Sequence, residues 1–452
     1  MLLSPLYRRH YLETIRLAYP IIIGQLSTII IMITDNIVVG NYSADALAAA
    51  SLAHAIFMTL QIFGMGVTFG LTPLVASAVA TQDYEACRRL FKHALLTYTF
   101  LSVILYGIVL LITLFLDSFG QVPHIVALAK PFLQIVGFSI VPSLIFQTFK
   151  QFMEGLSQTK EPMFVALFGE MLNVIFNIVL VFGWFGFPRL GLIGSGIATV
   201  IARIFMVILI TYLFVQREKF AKYVAGFRKQ WIELALFTKL LKIGLPIGMQ
   251  VIFESSCFAF SAIMAGWIGD NGKTLAAHQI ALNIAATTYL IASGISTAAS
   301  IRTAGQRGLK NIEEMQMAGK SAMVIVTIFM FICALTMVVG RNILPSLYVQ
   351  DAQVIEIASN LLLVAAIFQL SDGIQVVSIG ALRGLHDVKI PTIITLIAYW
   401  GIGTPLAAFL MFYMGWGGVG IWASLAFALT VAAALLSYRF LKLCKTVVIQ
   451  TN

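Results

Sequence analysis

"DALAAASLA" at residues 45–53 and "KTLAAHQIA" at residues 273–281 share one pattern of small and aliphatic residues, displaced by 228 positions. Further matches on either side join Pro20 to Pro246 at an offset of 226 and Gly155 to Gly384 at an offset of 229. Short loop insertions produce a drift of this size. The chain therefore contains two copies of one unit, an arrangement that is frequent among transporters.

The composition predicts that these two units lie in a membrane. Of the 452 residues, 60% are hydrophobic and 11% are charged, and the mean hydropathy is +0.94, whereas soluble domains carry roughly 25% charged residues. Twelve stretches of the sequence are apolar enough and, at about 20 residues each, long enough to cross a bilayer as helices. We expect an all-α integral membrane protein with twelve transmembrane helices in two pseudo-symmetric six-helix bundles.

The positions of lysine and arginine predict the orientation of the chain. With the N-terminus inside the cell, 24 of the 29 basic residues fall in cytoplasmic loops and span ends, as the positive-inside rule requires. Both termini are then cytoplasmic, and the net charge of +10 faces anionic lipid headgroups, so we expect no nucleic-acid partner. We divide the chain into an N-terminal six-helix lobe at 1–216, a basic cytoplasmic linker at 217–242 and a C-terminal six-helix lobe at 243–452.

Several classes of function have no support in the sequence. The four cysteines are scattered and predict neither a disulfide framework nor a metal cluster. The chain contains no phosphate-binding G-x-x-x-x-G-K-[ST] pattern and no nucleophile–base constellation. We therefore expect no enzyme, no ATP-driven pump and no cofactor.

Three carboxylates inside predicted spans stand out as candidates, namely Asp35, Glu254 and Asp372. A charge at the bilayer centre costs at least about 2.5–3.5 kcal/mol, so each is a functional candidate. Glu254 and Asp372 lie at similar depth, about 15 Å from the cytoplasmic ends of their spans. Two carboxylates at low dielectric share a proton or bind a cation, so we expect a coupling-cation site, for H⁺ or Na⁺. Asp35 is the N-lobe acid, a candidate for proton or substrate binding.

The repeat shows that these acids are not required by the common fold. The residues that correspond to Glu254 and Asp372 in the first half are Thr28 and Ser143, and Ser261 corresponds to Asp35. The C-terminal half therefore owns a pair of acids. A packing role in a polar crevice is the alternative for each of the three.

Other polar residues within spans leave two interpretations open. Arg203 and Glu170 form either a buried structural ion pair or part of a substrate site. Five further polar residues line the cavity or form hydrogen bonds between helices; they are Gln279, Asn283, Gln375, Asn173 and Asn177.

Three stretches carry a resemblance to a known family. They are "GLPIGMQVIFESSCFAFSAIMAGWIG" (244–269), "LAAHQIALNIAA" (275–286) and "FQLSDGIQVVSIGALRGLHDVKIP" (368–391). Together they resemble the multidrug and toxic compound extrusion (MATE) transporters, specifically the NorM-like bacterial branch, and the similarity runs through nearly the whole chain. The resemblance implies export of cationic, often aromatic, compounds in exchange for inward Na⁺ or H⁺. It also implies that Glu254 and Asp372 form the coupling-cation site. Asp35 corresponds to the N-lobe acid that is the protonation site in some branches of the family.

The sequence departs from the family pattern at two positions. Similar NorM-like proteins have a tyrosine one turn before the acid of the tenth span, where it helps to ligate the cation. Here this position is Phe368, a candidate cavity-lining residue without a hydroxyl. The other bacterial branch has an aspartate where Asn177 stands, which argues against an N-lobe acid pair. The choice between Na⁺ and H⁺ stays open.

These observations predict a secondary active multidrug antiporter that works by alternating access. We expect small cationic drug-like substrates, Na⁺ or H⁺ and membrane lipids as its partners, and a monomer in the bacterial cytoplasmic (inner) membrane. The alternative is a lipid-linked precursor flippase of the same superfamily, which needs a cationic cavity for pyrophosphate. Arg203 is the intramembrane residue that supports this alternative.

Overall fold

The computed structural model of the chain describes residues 5–225 and 231–451, and every regular element in these residues is a helix. A helix satisfies its backbone hydrogen bonds internally, which the apolar interior of a bilayer demands. The helices of the first half are α1 (Pro5–Tyr42), α2 (Ala44–Thr68), α3 (Leu71–Ala80), α4 (Tyr84–Leu114), α5 (Pro123–Phe138), α6 (Ile140–Gly155), α7 (Lys160–Phe182) and α8 (Leu192–Gln216).

A short α9 (Ala221–Val224) lies between the two halves. The helices that follow are α10 (Leu234–Gly266), α11 (Lys273–Gly308), α12 (Ile312–Val339), α13 (Ile343–Ser346), α14 (Ala352–Gly384), α15 (Lys389–Leu396), α16 (Thr404–Ala408) and α17 (Gly417–Thr451). Two π-helical segments, Ile397–Gly403 and Phe409–Tyr413, follow α15 and α16.

Twelve helical stretches in the described residues are long and apolar enough to cross a membrane. The predicted all-α fold with twelve spans is therefore confirmed. Three of the stretches contain more than one helix: α2 with α3, α5 with α6, and α15 through the second π segment.

Prolines explain the first two of these interruptions. Pro73 and Pro142 are each the third residue of a helix, α3 and α6 respectively. A proline has no backbone N–H, so the bonds to the carbonyls of Phe69 and Phe138, four residues earlier, are missing. α5 ends at Phe138, and Phe69 is the cap residue directly after α2.

The chain forms two compact units whose edges differ from the predicted lobes. The first unit is Ile23–Gly248, and the second contains the chain up to Ile22 together with the part from Met249 onward. The start of α1 therefore belongs with the second half of the sequence, and the start of α10 with the first half. Of the predicted linker at 217–242, residues 226–230 lie outside the described residues.

Glycines allow the close contacts that decide these edges. A Cβ on Gly294 of α11 would lie 2.4 Å from Cγ1 of Ile22, the last residue of α1 in the second unit. A Cβ on Gly244 of α10 would lie 2.5 Å from the carbonyl oxygen of Val67. Helices approach this closely in membranes when small residues lie at the contact.

Candidate functional site

The second unit contains both acids of the predicted pair. Glu254 lies on α10 and Asp372 on α14, with 8% and 2% of their surfaces exposed. The two carboxylates are close enough to interact electrostatically. Like charges in such a dry environment repel strongly, so the pair needs a proton, a cation or a neighbouring positive charge.

A tyrosine hydroxyl lies against this pair. Tyr399 is buried, and its hydroxyl donates to Oε1 of Gln375 at 2.8 Å, with Oε1 of Glu254 at 3.4 Å. Gln375 is itself fully buried, and its side chain also interacts with the carboxylate of Glu254. The site thus presents carboxylate, amide and phenol oxygens, which are the ligand types that hard cations prefer.

The position of Tyr399 follows from an irregular turn. It lies in the π-helical segment Ile397–Gly403, where both the N–H and the hydroxyl of Thr404 donate to its carbonyl. Pro405 follows directly and has no N–H to continue the α-helical pattern. Single π turns in α-helices frequently occur at functional sites.

A second layer of polar side chains joins the site to Arg383. Gln250, one turn before Glu254, donates from Nε2 to Oγ1 of Thr395 at 3.2 Å. Its Oε1 accepts from Nη2 of Arg383 at 3.3 Å. The positive charge of Arg383 also acts electrostatically on Glu254. Arg383 is therefore part of the buried network and not one more cytoplasmic cation.

The first unit holds the third acid. A carboxylate oxygen of Asp35 accepts a hydrogen bond from the side-chain amide of Asn177, which is fully buried on α7. One turn earlier, Asn173 donates to Oγ1 of Thr199 at 3.3 Å. The side-chain oxygens of both asparagines have no partner among the described residues. Four polar side chains thus lie on α1, α7 and α8, and Asp35 is the one among them that can take up a proton.

The hydrogen-bond partner of Arg203 is Ser139, and not Glu170 as an ion pair would require. Its Nη1 donates to Oγ and the carbonyl of Ser139, at 2.8 and 3.3 Å, and its guanidinium lies 5.2 Å from the ring centre of Phe57. Among the described residues it forms no salt bridge with Glu170, although the two charges interact at longer range. The Ser139 carbonyl also accepts the backbone N–H of Ser143 at 3.1 Å, and its second lone pair accepts from Arg203.

The remaining candidates lie in three kinds of surroundings: exposed helix faces, the two polar networks and the packed core. Gln279 and Asn283 are exposed one turn apart on α11. Gln375 and Asn177 belong to the two polar networks, whereas Phe368 is 3% exposed and packs edge-on against Phe258 and Trp422. Phe368 therefore lies in the packed core of its unit instead of on an open wall, because aromatic neighbours enclose it.

Sequence reasoning does not single out Tyr399, Gln250 or Thr199. A search for charges in apolar runs passes over uncharged residues, and polar residues are frequent on buried helix faces. The one available signal is the run "AYWGIGTP" (398–405), where two glycines and a proline interrupt a span.

The fold and the two polar networks define a class: an all-helical, twelve-span membrane transporter with acids buried in both units. The family described as MatE matches residues 20–179 and again residues 246–409. The chain belongs to the MatE family, the multidrug and toxic compound extrusion transporters, and to its NorM-like branch. The two matched segments begin at Pro20 and Pro246, so they coincide with the internal repeat.

Relatives and solved structures agree over nearly the full length. The chain is 32% identical over 444 residues to a protein of Mesorhizobium japonicum named "Probable multidrug resistance protein NorM", covering 97% of this chain and 95% of that one. It is 33% identical to the Pseudomonas putida protein of the same name, covering 94% and 93%.

The fold is also that of solved MATE transporters. The eukaryotic MATE transporter AtDTX14 superposes with a TM-score of 0.86 at 19% identity, covering 97% of this chain and 98% of that one. A multidrug resistance MATE family transporter in an outward-facing conformation gives a TM-score of 0.88 at 18% identity, with coverages of 97% and 96%.

Proposed function

We propose that the protein is a secondary active antiporter that exports cationic, often aromatic, compounds in exchange for inward Na⁺ or H⁺. Its bacterial relatives are named multidrug resistance proteins, and this supports drug-like molecules as the cargo. We propose that it works as a monomer in the cytoplasmic (inner) membrane of a bacterium, with both termini in the cytoplasm.

The buried acid pair is the observation that carries this proposal. Glu254 and Asp372 cannot both stay ionised in a dry interior unless positive charge compensates them. Binding of H⁺ or Na⁺ therefore changes the energy of the site far more than it would on a solvated surface. Each unit charge that moves inward across 100 mV releases roughly 2.3 kcal/mol, which is the energy available for export.

Reciprocal coupling turns this binding into transport. If the cation favours a state of the transporter that binds the exported compound weakly, the compound weakens cation binding by the same factor. Alternating exposure of the two sites to the two sides of the membrane then exchanges one for the other. Asp35, with Asn177 beside it, supplies a second acid for a proton or a cationic substrate.

Exposed polar residues support an aqueous path along α11. Gln279 and Asn283 are exposed on this helix, one turn apart. Polar side chains gain no hydrogen bonds from lipid, so residues of this kind within a span favour a water-filled cavity. We propose that this face of α11 lines part of the substrate path.

The alternative, a flippase for lipid-linked precursors, requires positive charge toward the cargo. Arg203 is the basic residue on which it depends, and its guanidinium is already bonded to Ser139 and placed against Phe57. The acids at Asp35, Glu254 and Asp372 instead attract cations. The charges of the two units therefore favour cationic cargo.

Transport of a fluorescent cationic dye tests the proposal. Purified protein in proteoliposomes receives ethidium, and an imposed Na⁺ or H⁺ gradient is the only driving force. We expect the gradient to drive dye movement in the wild type, and Glu254→Gln and Asp372→Asn to abolish coupled movement, because neither variant retains the acid pair. Dye movement that is equal with and without a gradient would refute the antiport.

A matched variant controls for the loss of an acid. Asp351 caps α14, where the backbone N–H groups of Val354 and Gln353 donate to its carboxylate and hold its pKa below the usual range. Asp351→Asn keeps the cap, since asparagine is an equally good N-cap residue. We expect this variant to transport dye as the wild type does.

A further inference from the structure

Arg383 is a positive charge beside the proposed cation site for which the antiport mechanism has so far given no role. It is the penultimate residue of α14, eleven positions after Asp372, and its guanidinium donates to Oε1 of Gln250 at 3.3 Å. Its charge acts on Glu254 and on Tyr289, a residue that also interacts with both acids. The charged and titratable groups that interact electrostatically here are Glu254, Asp372, Arg383, Tyr289 and Tyr399.

Gln250 fixes the guanidinium in this position. The glutamine amide is fully oriented, because its nitrogen donates to Thr395 while its oxygen accepts from Arg383. Gln250 and Glu254 are one turn apart and so lie on the same face of α10. The arginine therefore reaches the face of α10 that carries the acid.

The internal repeat links this arginine to the acids. In the first half the positions of Glu254 and Asp372 are occupied by Thr28 and Ser143, which carry no charge. The position of Arg383 is there Glu154, whose carboxylate lies 4.0 Å from the ammonium of Lys150. Within this one chain, the arginine is present only in the half that carries the acid pair.

The role of the arginine follows from the balance of charges at the acid pair. Two ionised carboxylates and one guanidinium leave a single net negative charge, which one monovalent cation neutralises. Without the guanidinium, the two carboxylates leave two negative charges and attract a second cation. We propose that Arg383 is a fixed counter-charge that limits the Glu254–Asp372 site to one monovalent cation. This inference rests on the proposed antiport function.

Cation binding to purified protein in nanodiscs tests the limit directly. Radiolabelled Na⁺ is titrated in one arm, and protons are counted by potentiometric titration in sodium-free buffer in the other. The Glu254→Gln/Asp372→Asn double variant gives the cations bound elsewhere, and its count is subtracted. We expect the wild type to bind one cation at the pair in the arm of the coupling ion.

Arg383→Gln then tests whether the positive charge of Arg383, and not only its structural role, sets the number of bound cations. We expect this variant to bind two cations at the pair, and the first of them at a concentration at least about tenfold lower, because a nearby positive charge has been removed. Arg439→Gln is the matched control, since this arginine of the same unit pairs with Asp387, and its count should equal that of the wild type. An unchanged count and affinity in Arg383→Gln would overturn the proposal.

Two further variants keep the test decisive if Arg383→Gln does not fold. Arg383→Lys retains the charge and should bind one cation, and Arg383→Gln/Asp372→Asn restores a single net negative charge and should also bind one. A purely structural role predicts no rescue by the second variant, so failure of both variants overturns the counter-charge. The dye assay separates the two proposals, because loss of gradient-driven movement in the wild type refutes the antiport itself.

Discussion

Tyr399 supplies at the acid pair the hydroxyl that Phe368 lacks. The family pattern places a tyrosine on the tenth span, but in this chain the phenol comes from the eleventh, and its hydroxyl lies 2.8 Å from Gln375 and 3.4 Å from Glu254. Phe368 packs instead against Phe258, and the ring centre of Phe258 lies 6.1 Å from that of Tyr399. The phenol beside the acid pair thus comes from a residue 31 positions after Phe368 in the sequence.

Removal of this hydroxyl should weaken cation binding. Tyr399→Phe leaves Oε1 of Gln375 without its donor and takes one oxygen away from the site. Because a buried polar group left unpaired costs about 1–3 kcal/mol, we expect a lower thermal unfolding midpoint and a several-fold higher ion concentration for half-maximal dye transport. Tyr438→Phe, at an exposed tyrosine of α17, is the control and should change neither quantity. Wild-type values for both quantities in Tyr399→Phe would contradict a role of this hydroxyl.

The two acids of the pair are predictable from the sequence, whereas their surroundings are not. Glu254 and Asp372 stand out because each interrupts an apolar run with a charge. Arg383 looks like an ordinary basic residue at a cytoplasmic span end, and only the path of its side chain to Gln250 reveals its place. Side-chain direction depends on how α10 and α14 pack, which a single sequence does not specify.

At the scale of elements, the start of α1 is fastened to the second unit by one arginine. Arg302 of α11 donates to the carboxylate of Glu13 and the hydroxyl of Thr14, both at 2.7 Å, and to the carbonyl of His10 at 2.9 Å. Its side chain is 8% exposed. One planar guanidinium therefore binds three residues that lie within one turn of α1.

Loss of this arginine should free the start of α1. Arg302→Gln removes the hydrogen bonds to Glu13, Thr14 and His10, while Thr14 still donates to the His10 carbonyl. We expect a loss of about 1–3 kcal/mol in the free energy of unfolding. Limited proteolysis should then cut the N-terminal turns of α1 faster, while the rest of the chain keeps its wild-type rate. Arg307→Gln, one and a half turns away and exposed, should behave as the wild type. Equal cleavage rates in all three proteins would show that the network contributes little.

The whole molecule follows from the repeat more closely than its details do. Twelve apolar stretches and the offsets near 228 predict two six-helix bundles, and the family match in two segments agrees with this division. The edges of the two units differ from those of the predicted lobes, because close contacts at Gly294 and Gly244 join each helix start to the other half of the sequence. Hydropathy locates spans but carries no information about such contacts.

The basic residues predict the orientation of the whole chain. A green fluorescent protein fused after Asn452 should fluoresce, and an alkaline phosphatase at the same place should be inactive, because both termini are expected in the cytoplasm. Phosphatase inserted between Gly269 and Gly272, in the loop before α11, should be active. The reverse pattern of activities would invert the predicted topology and with it the direction of export.

The exchange of helix starts between the units has a consequence for biosynthesis. Residues up to Ile22 leave the ribosome first, yet the unit to which they belong is otherwise made of residues from Met249 onward. The first unit in turn needs the part of α10 that ends at Gly248. The first unit is one continuous stretch and can close once Gly248 has been made, whereas the second unit cannot, because its earliest segment waits for its latest. Domains that fold as soon as they emerge are the usual case, and here the second unit must complete its assembly after insertion of nearly the whole chain.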